Sequence, residues 1–349
     1  MKQKYDSYLS KRSKPLNYSK ENAKLFEHEL RKKIDSPGYK TINNRYVKNS
    51  TIRRYKYFRT NTSSWRMNPI NHKNRIKRFL EDLKLIKTES QKDDKFKIIK
   101  KGSWVIDERS DQYFHWLTDC MQRIQLIDKE LYDYPILIPE EFLKKEYVIE
   151  SLSFLNIPFI EIKNDILYKI DKLLITNHVG SAGNYYKEII NQVSANFSEI
   201  IGMNNEVVKN NSNKKIWVSR QNASKRKIKN FEEVEKVLTK HEFTIVDYES
   251  LPFIEQIKLS FESQIIAGLH GAGLTNMIFM KKNSLIIEVR DENDSKNNCF
   301  FSLSSDLNHK YYFIPAKAEN NDYYSSDYYL DAKVLDESLN KGLSIFNNS

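Results

Sequence analysis

Between two apolar runs the chain reads Gly268-Leu269-His270-Gly271-Ala272-Gly273, which places three of its nine glycines within six residues. Glycine lets a backbone approach a ligand closely or take positive φ. Free N–H groups at a helix start attract phosphate, and His270 adds a side-chain donor at the same point. The chemistry on offer is the binding of a phosphate or diphosphate through Gly271, Ala272, Gly273 and His270. The spacing is not the G-x-G-x-x-G of dinucleotide enzymes, and it follows the third strand of its domain, which argues against NAD or FAD. A tight strand-to-helix turn with packing glycines and a core histidine reads the same six residues without any ligand.

Arg220 shifts that balance. It directly follows the apolar strand Ile216–Ser219, so it belongs at the carboxyl edge where open α/β sheets bind ligands. Arginine matches phosphate with two donors, against the plainer reading of a surface ion pair. Arg226 stands in the run Lys225-Arg226-Lys227, whose plain reading is a solvated basic stretch. Glu288 ends the fourth strand, either as acceptor for ribose or sugar hydroxyls or as partner of Arg290 or another cation. In the earlier half, His115 and Asp119 stand four apart and share a helix face. That pairing suits general-base catalysis on a hydroxyl, or only a first-turn dipole arrangement.

These residues need elements to hold them. Strands and helices alternate from about residue 97 in the manner of a parallel α/β sheet. The first half predicts an extended segment over 97–107, a helix over 113–131, a strand over 134–139, a helix over 144–155, and strands at 159–162 and 172–176. The Asn-rich stretch 204–213 reads as a linker. The second half predicts strands at 216–219, 243–246, 264–267, 285–289 and 311–314. Its helices fall at 231–241 (with Asn230 and Glu233 as a capping box), 252–261 and 274–280. Residues 1–95 are rich in Lys, Arg, Asn and Tyr. They include a mixed run of cations and rings at 53–59 and an amphipathic helix at 76–86.

The 349 residues suffice for two domains, and 40% hydrophobic content describes a folded chain. The two cysteines, Cys120 and Cys299, supply neither a disulfide scaffold nor a zinc spacing, and no Asp-x-Asp pair occurs. No signal-like apolar core opens the chain. The apolar stretch 263–280 carries Gln264, His270 and Asn276 and reads as a buried strand and helix, not a membrane span. The formal charge of +11 calls for an anionic partner; nucleic acid, anionic lipid and phosphorylated small molecules all qualify.

Taken together, the segments His115-Trp116-Leu117-Thr118-Asp119 and Gly268 through Asn276 resemble glycosyltransferase family 61. Ser219-Arg220, the Phe253-x-x-Gln256 run and Ile286-Ile287-Glu288 add to the likeness, which covers roughly residues 97 to 290. The resemblance implies an α/β, GT-B-like fold of two Rossmann-like domains facing each other across a cleft. The boundaries expected are 1–95 for a basic N-terminal extension, 96–203 for the acceptor-side domain, 204–320 for the nucleotide-sugar domain and 321–349 for a tail or helix. It implies an inverting, metal-independent hexosyl- or pentosyltransferase with no cofactor and a donor taken as UDP-linked. The acceptor would be a glycan, free or lipid-linked, in capsule or lipopolysaccharide synthesis. Asp119 with His115 would be catalytic; Arg220, Arg226, His270, Gly271, Ala272, Gly273, Asn276 and Glu288 would bind the donor. The setting expected is cytoplasmic, with room for peripheral contact at the anionic inner membrane face. The rival readings are a non-catalytic nucleotide- or glycan-binding protein of this fold and, behind it, a nucleic-acid-binding protein.

Overall fold

A computed structural model describes residues 2–49, 51–53, 95–107, 109–127, 131, 133–180, 183–203, 213–320, 322 and 325–348. The amphipathic helix expected at 76–86, most of the run 53–59 and most of the expected linker lie outside them. The chain divides into two compact units, one made of Met1–Tyr8 with Asp35–Ser181, the other of Leu9–Ile34 with Ala182–Ser349. The stretch set aside from the sequence as an extension is thus shared between the two.

The first unit is built on a mixed sheet of β1 (Lys2–Gln3), β2 (Gly38–Lys48), β3 (Thr51–Arg53), β4 (Lys95–Trp104), β5 (Ile136–Pro139), β6 (Phe159–Ile162) and β7 (Ile166–Thr176). The order is β1-β2-β7-β4-β5-β6, with β3 on β2. β4 runs parallel to β7 and β5, whereas β2 pairs β7 antiparallel. Trp104 stands opposite Ile175, so β4 and β7 end together. Between β4 and β5 the chain is helical from Tyr113 to Gln125, shorter than the 113–131 expected, and Trp116–Cys120 within it is a π turn. Trp116 anchors that turn: it is fully buried and its ring N–H donates to Ser151 Oγ at 2.9 Å.

The second unit carries β8 (Lys214–Val218), β9 (Phe243–Val246), β10 (Ser263–Leu269), β11 (Leu285–Asp291), β12 (Lys310–Ala318) and β13 (Tyr328–Tyr329). The order is β9-β8-β10-β11-β12-β13, parallel throughout except for the last pair. β11 is buried along its whole length, the mark of a parallel strand covered on both faces. The chain lays down β8, moves to one side for β9, then crosses to the other side for β10. The order therefore reverses between β8 and β10, and a doubly wound sheet offers its binding crevice at that reversal, beyond the carboxyl ends.

Helices Phe231–Lys240 and Ala332–Asn347 bury Val234, Leu238, Leu335 and Leu339 in a core with Trp217, Ile265, Ile287 and Ile314. Asn230 makes no capping bond to the first of these. Its amide donates instead to the Glu233 carboxylate and the Leu330 carbonyl, which ties the helix start to the chain beyond β13. Residues 9–34 pack on β12: Leu16 N–H donates to the Tyr311 carbonyl, and Asn17 bonds the Phe313 backbone. Phe26 meets the rings of Phe301, Tyr311 and Phe313.

Candidate active site

Val218 ends β8 opposite Gly268 on β10, so Arg220 and the glycine turn leave neighbouring strands on the same edge. They meet there. The Arg220 guanidinium lies on Gly271 so closely that a Cβ at that glycine would overlap Nη1 and stand 2.9 Å from Cζ. Two other arms of Arg220 are fixed by backbone: Nε donates to the Arg226 carbonyl at 3.3 Å and Nη2 to the Lys225 carbonyl at 3.2 Å. Among the described residues no carboxylate comes within ion-pairing distance of Arg220 or Arg226. Burial pushes Arg220 down to about 10, and the nearby Arg226 pushes the same way, against the opposite pull of the Glu249 carboxylate. Burial also lowers Arg226, whose backbone is left-handed at φ 58°. Two partly desolvated cations held side by side, neither of them in an ion pair, have the chemistry to receive an anion.

The glycines divide by purpose. None of Gly268, Gly271 and Gly273 lies in the left-handed region, Gly271 being extended at φ 175°; what each position needs is space. Gly271 admits the guanidinium, while a Cβ at Gly273 would stand 2.5 Å from Val218 Cγ1 and one at Gly268 would press on the Val218 backbone. The helix after the turn is a 3-10 helix, Ala272–Phe279, whose first bond runs from Leu274 N–H to the Gly271 carbonyl. The amides of Gly271, Ala272 and Gly273 precede that bond, as expected of orphan donors at a helix start.

His270 extends the β10 ladder, its N–H donating to the Val289 carbonyl, and its ring lies 4.9 Å from that of Phe300. Its Nδ1 is bound by the Glu288 carboxylate. Glu288 is fully buried, and its other oxygen accepts from the Tyr311 hydroxyl. Burial would raise this carboxyl, but His270, Arg290 and the two hydrogen bonds outweigh it and hold it below its ordinary value. Both Glu288 oxygens are thus engaged within the second unit, one by His270 and one by Tyr311, which matches the partner reading open in the sequence. Asn276 is also fully buried and spends its amide on the Gly273 carbonyl at 3.0 Å. That bond ties it to the glycine turn.

In the first unit, His115 and Asp119 form a dyad: Nδ1 lies 2.7 Å from Asp119 Oδ2. Both side chains keep a small exposed surface. A carboxylate only accepts, so Nδ1 is the donor and Nε2 is the nitrogen left for other chemistry. Thr118 donates to the Phe114 carbonyl at 2.7 Å and steadies the turn between them. Such π turns gather at functional positions.

A second dyad in this unit has no trace in the local sequence. His178 Nε2 sits 2.9 Å from Asp107 Oδ2, just past the shared ends of β4 and β7. Burial would raise Asp107, but His178 and the Arg109 amide bring it well below its ordinary value. Beside it the buried Arg123 donates to Thr176 through both Nε and Nη2. Only the strand ends bring 107 and 178 together, so a reading of spacing along the chain passes over them.

The sequence model of the family described as Glycosyltransferase 61 matches residues 113–287, half of this chain. Curated relatives share a shorter stretch. The EGF domain-specific O-linked N-acetylglucosamine transferase of Drosophila melanogaster is 35% identical over 65 residues, 19% of this chain and 12% of that protein. The protein of the same name from Gallus gallus is 32% identical over 71 residues, 20% of this chain and 13% of its own. That from Xenopus laevis is 32% identical over 84 residues, 23% of this chain and 16% of its own. The likeness thus takes in well under a fifth of those proteins' length. The family match opens on the helix of the His115 dyad and runs through Arg220 and the glycine turn into β11, so the segments that carry the geometry also carry the kinship, and the chain belongs to glycosyltransferase family 61.

Proposed function

We propose that this chain is an inverting glycosyltransferase that takes a sugar from a UDP-linked donor and places it on a hydroxyl of a glycan acceptor. The second unit holds the donor and the first receives the acceptor, the division of labour of a GT-B enzyme. His115 Nε2 removes the hydroxyl proton while Asp119 holds Nδ1 and stabilises the imidazolium that forms. The sequence alone favours Asp119 as the base; the geometry of the dyad favours His115 with Asp119 behind it. The acceptor oxygen then attacks the anomeric carbon as the bond to the diphosphate oxygen breaks. The departing charge is met by Arg220, Arg226, His270 and the amides of Gly271 to Gly273, with no metal required. Preorganised donors of this kind are worth roughly 3–4 kcal/mol each when removed singly.

The observation that carries the reading is the Arg220 guanidinium resting on Gly271 at the point where the strand order reverses. The dyad favours an enzyme over a binding protein of the same fold, since anion binding alone has no use for a poised base. UDP-N-acetylglucosamine is the first donor to try, because the named relatives transfer that sugar. A polysaccharide product rests on the family resemblance. Peripheral contact with an anionic membrane rests on the basic N-terminal run, and no helix among the described residues is long and apolar enough to cross a membrane.

The test is UDP release from a panel of UDP-sugars, with glycan acceptors and with or without EDTA. The expected result is release that depends on acceptor and survives EDTA. Release abolished by EDTA would remove the metal-free reading, and no turnover with any donor or acceptor would remove the transferase.

A further inference from the structure

The first unit holds more polar machinery than the removal of one proton needs. Along the helix after β4, His115, Asp119 and Arg123 stand four apart. Arg123 is buried and lies within electrostatic reach of both Asp119 and Asp107, so it is a common neighbour of the two histidine–aspartate dyads. A cation shared by two acids lets both dyads stand at one place with their carboxylates compensated. Tying the strand ends together is already the work of the two residues before His178. Thr176 accepts from Arg123 at Oγ1 and at its carbonyl, at 3.0 and 3.2 Å. Asn177 accepts from Gly38 N–H at 2.7 Å and donates to the Ser36 carbonyl at 3.1 Å. His178 is left over from this stapling. Its Nε2 stands 2.9 Å from Asp107 Oδ2, and Asp107 Oδ1 accepts from the Arg109 amide and the Ser110 hydroxyl at 2.9 and 3.2 Å. The ring is thus aimed by a carboxylate that is itself fixed. A carboxylate only accepts, which makes Nε2 the donor and leaves Nδ1 for other partners. Nothing among the described residues bonds Nδ1, and the ring keeps a small exposed surface.

We propose that His178 is a second acceptor contact, whose Nδ1 holds a further hydroxyl of the sugar that His115 deprotonates. The inference rests on the acceptor reading above and sharpens it. Two hydroxyl-binding nitrogens gathered around one arginine suit a ring that carries several hydroxyls, not a peptide side chain that carries one. A hydroxyl both donates and accepts, so the contact forms with Nδ1 bare or protonated. His115 does the chemistry, and His178 selects the pattern of hydroxyls that is received.

The experiment is saturation-transfer NMR titration of the full chain, with and without UDP. The probes are methyl glycosides of glucose, galactose and N-acetylglucosamine, their monodeoxy analogues, and N-acetylthreonine amide as the single-hydroxyl probe. At least one glycoside should bind the wild type more tightly than the threonine probe does. One of its monodeoxy analogues should bind about tenfold more weakly. His178→Gln keeps an amide donor for Asp107 near the place of Nε2 but has no group at Nδ1. It should bind the parent glycoside about tenfold more weakly and no longer tell parent from analogue, with UDP affinity within about twofold of wild type. Parent and analogues bound alike by the wild type, an unchanged affinity in His178→Gln, a threonine probe that binds as well as any glycoside, or no glycoside bound at all overturns the proposal. Should His178→Gln fail to fold, the wild-type ring signals decide: those of His178 should move when the glycoside is added, and unmoved signals overturn the subsite. Glycoside binding that persists in a chain that turns over no donor instead removes the transferase, which is a different outcome.

Discussion

The His115–Asp119 pair and the Arg220–His270 edge are assembled by different means. The first is local: five consecutive residues on one helix, closed by a 2.7 Å bond, with an acid built in to balance the imidazole. The second is non-local: residues fifty positions apart are delivered by the ends of two adjacent parallel strands, and the two arginines there make no ion pair with a carboxylate among the described residues. One site is internally balanced and ready to move a proton. The other carries two arginines in no ion pair and, on the proposed reading, is completed by a ligand. Breaking the first should harm turnover and spare binding; breaking the second should harm binding as well.

The sharpest contrast comes from Asp119→Asn, which leaves His115 without its carboxylate. Transfer should fall by roughly 10²–10⁴, the range of general acid–base catalysis, while UDP affinity stays within about twofold of wild type. If affinity falls with turnover, the two sites are not separable in this way. A smaller effect follows from Gly271→Ala, whose Cβ would displace the Arg220 guanidinium. UDP affinity should drop by about tenfold, with thermal stability little changed. Gly273→Ala makes the control on the same turn: its Cβ would press on Val218 inside the fold, so it should lower stability by about 1–3 kcal/mol.

The smallest effect concerns acid, and the two units should answer it with opposite sign. Asp107 in the first unit is held below its ordinary value. Its contribution is present above that ordinary value and fades as pH falls below it. Asp306 in the second unit is raised to about 6 by burial, against the pull of Arg12 and Lys187. Its unfolded form ionises first, so the second unit loses stability as pH rises from about 4 to about 6. At neutral pH, Asp107→Asn should lower the melting temperature and Asp306→Asn should raise it, each by about 2–4 °C. Shifts in the same direction would remove the contrast.

How far the sequence could show this depends on range. The strands of the second unit announce themselves as short β-branched runs between turns, and the spacing of His115 and Asp119 on a helix is legible because it lies within one turn. Arg220 and His270 could be placed on one edge because consecutive parallel strands end on the same side. What escaped has partners far along the chain. Nothing in the polar segment 9–34 signals that Leu16 and Asn17 will bond the backbone of β12 nearly three hundred residues later. Asp107 and His178 are joined only by the paired ends of β4 and β7. Asn276 and Glu288 look like donor ligands by type and place, and only the structure shows that both are buried, Asn276 bonded to the Gly273 carbonyl and Glu288 to His270.

The cations at the reversal point of the second sheet are the proposed hold on the donor, and UDP affinity of Arg220→Ala measures them directly. Loss of that guanidinium should weaken UDP binding by about a hundredfold at neutral pH, in a chain whose melting temperature is essentially unchanged. Affinity within about twofold of wild type would mean that the diphosphate is held elsewhere, and the donor site described here would be wrong.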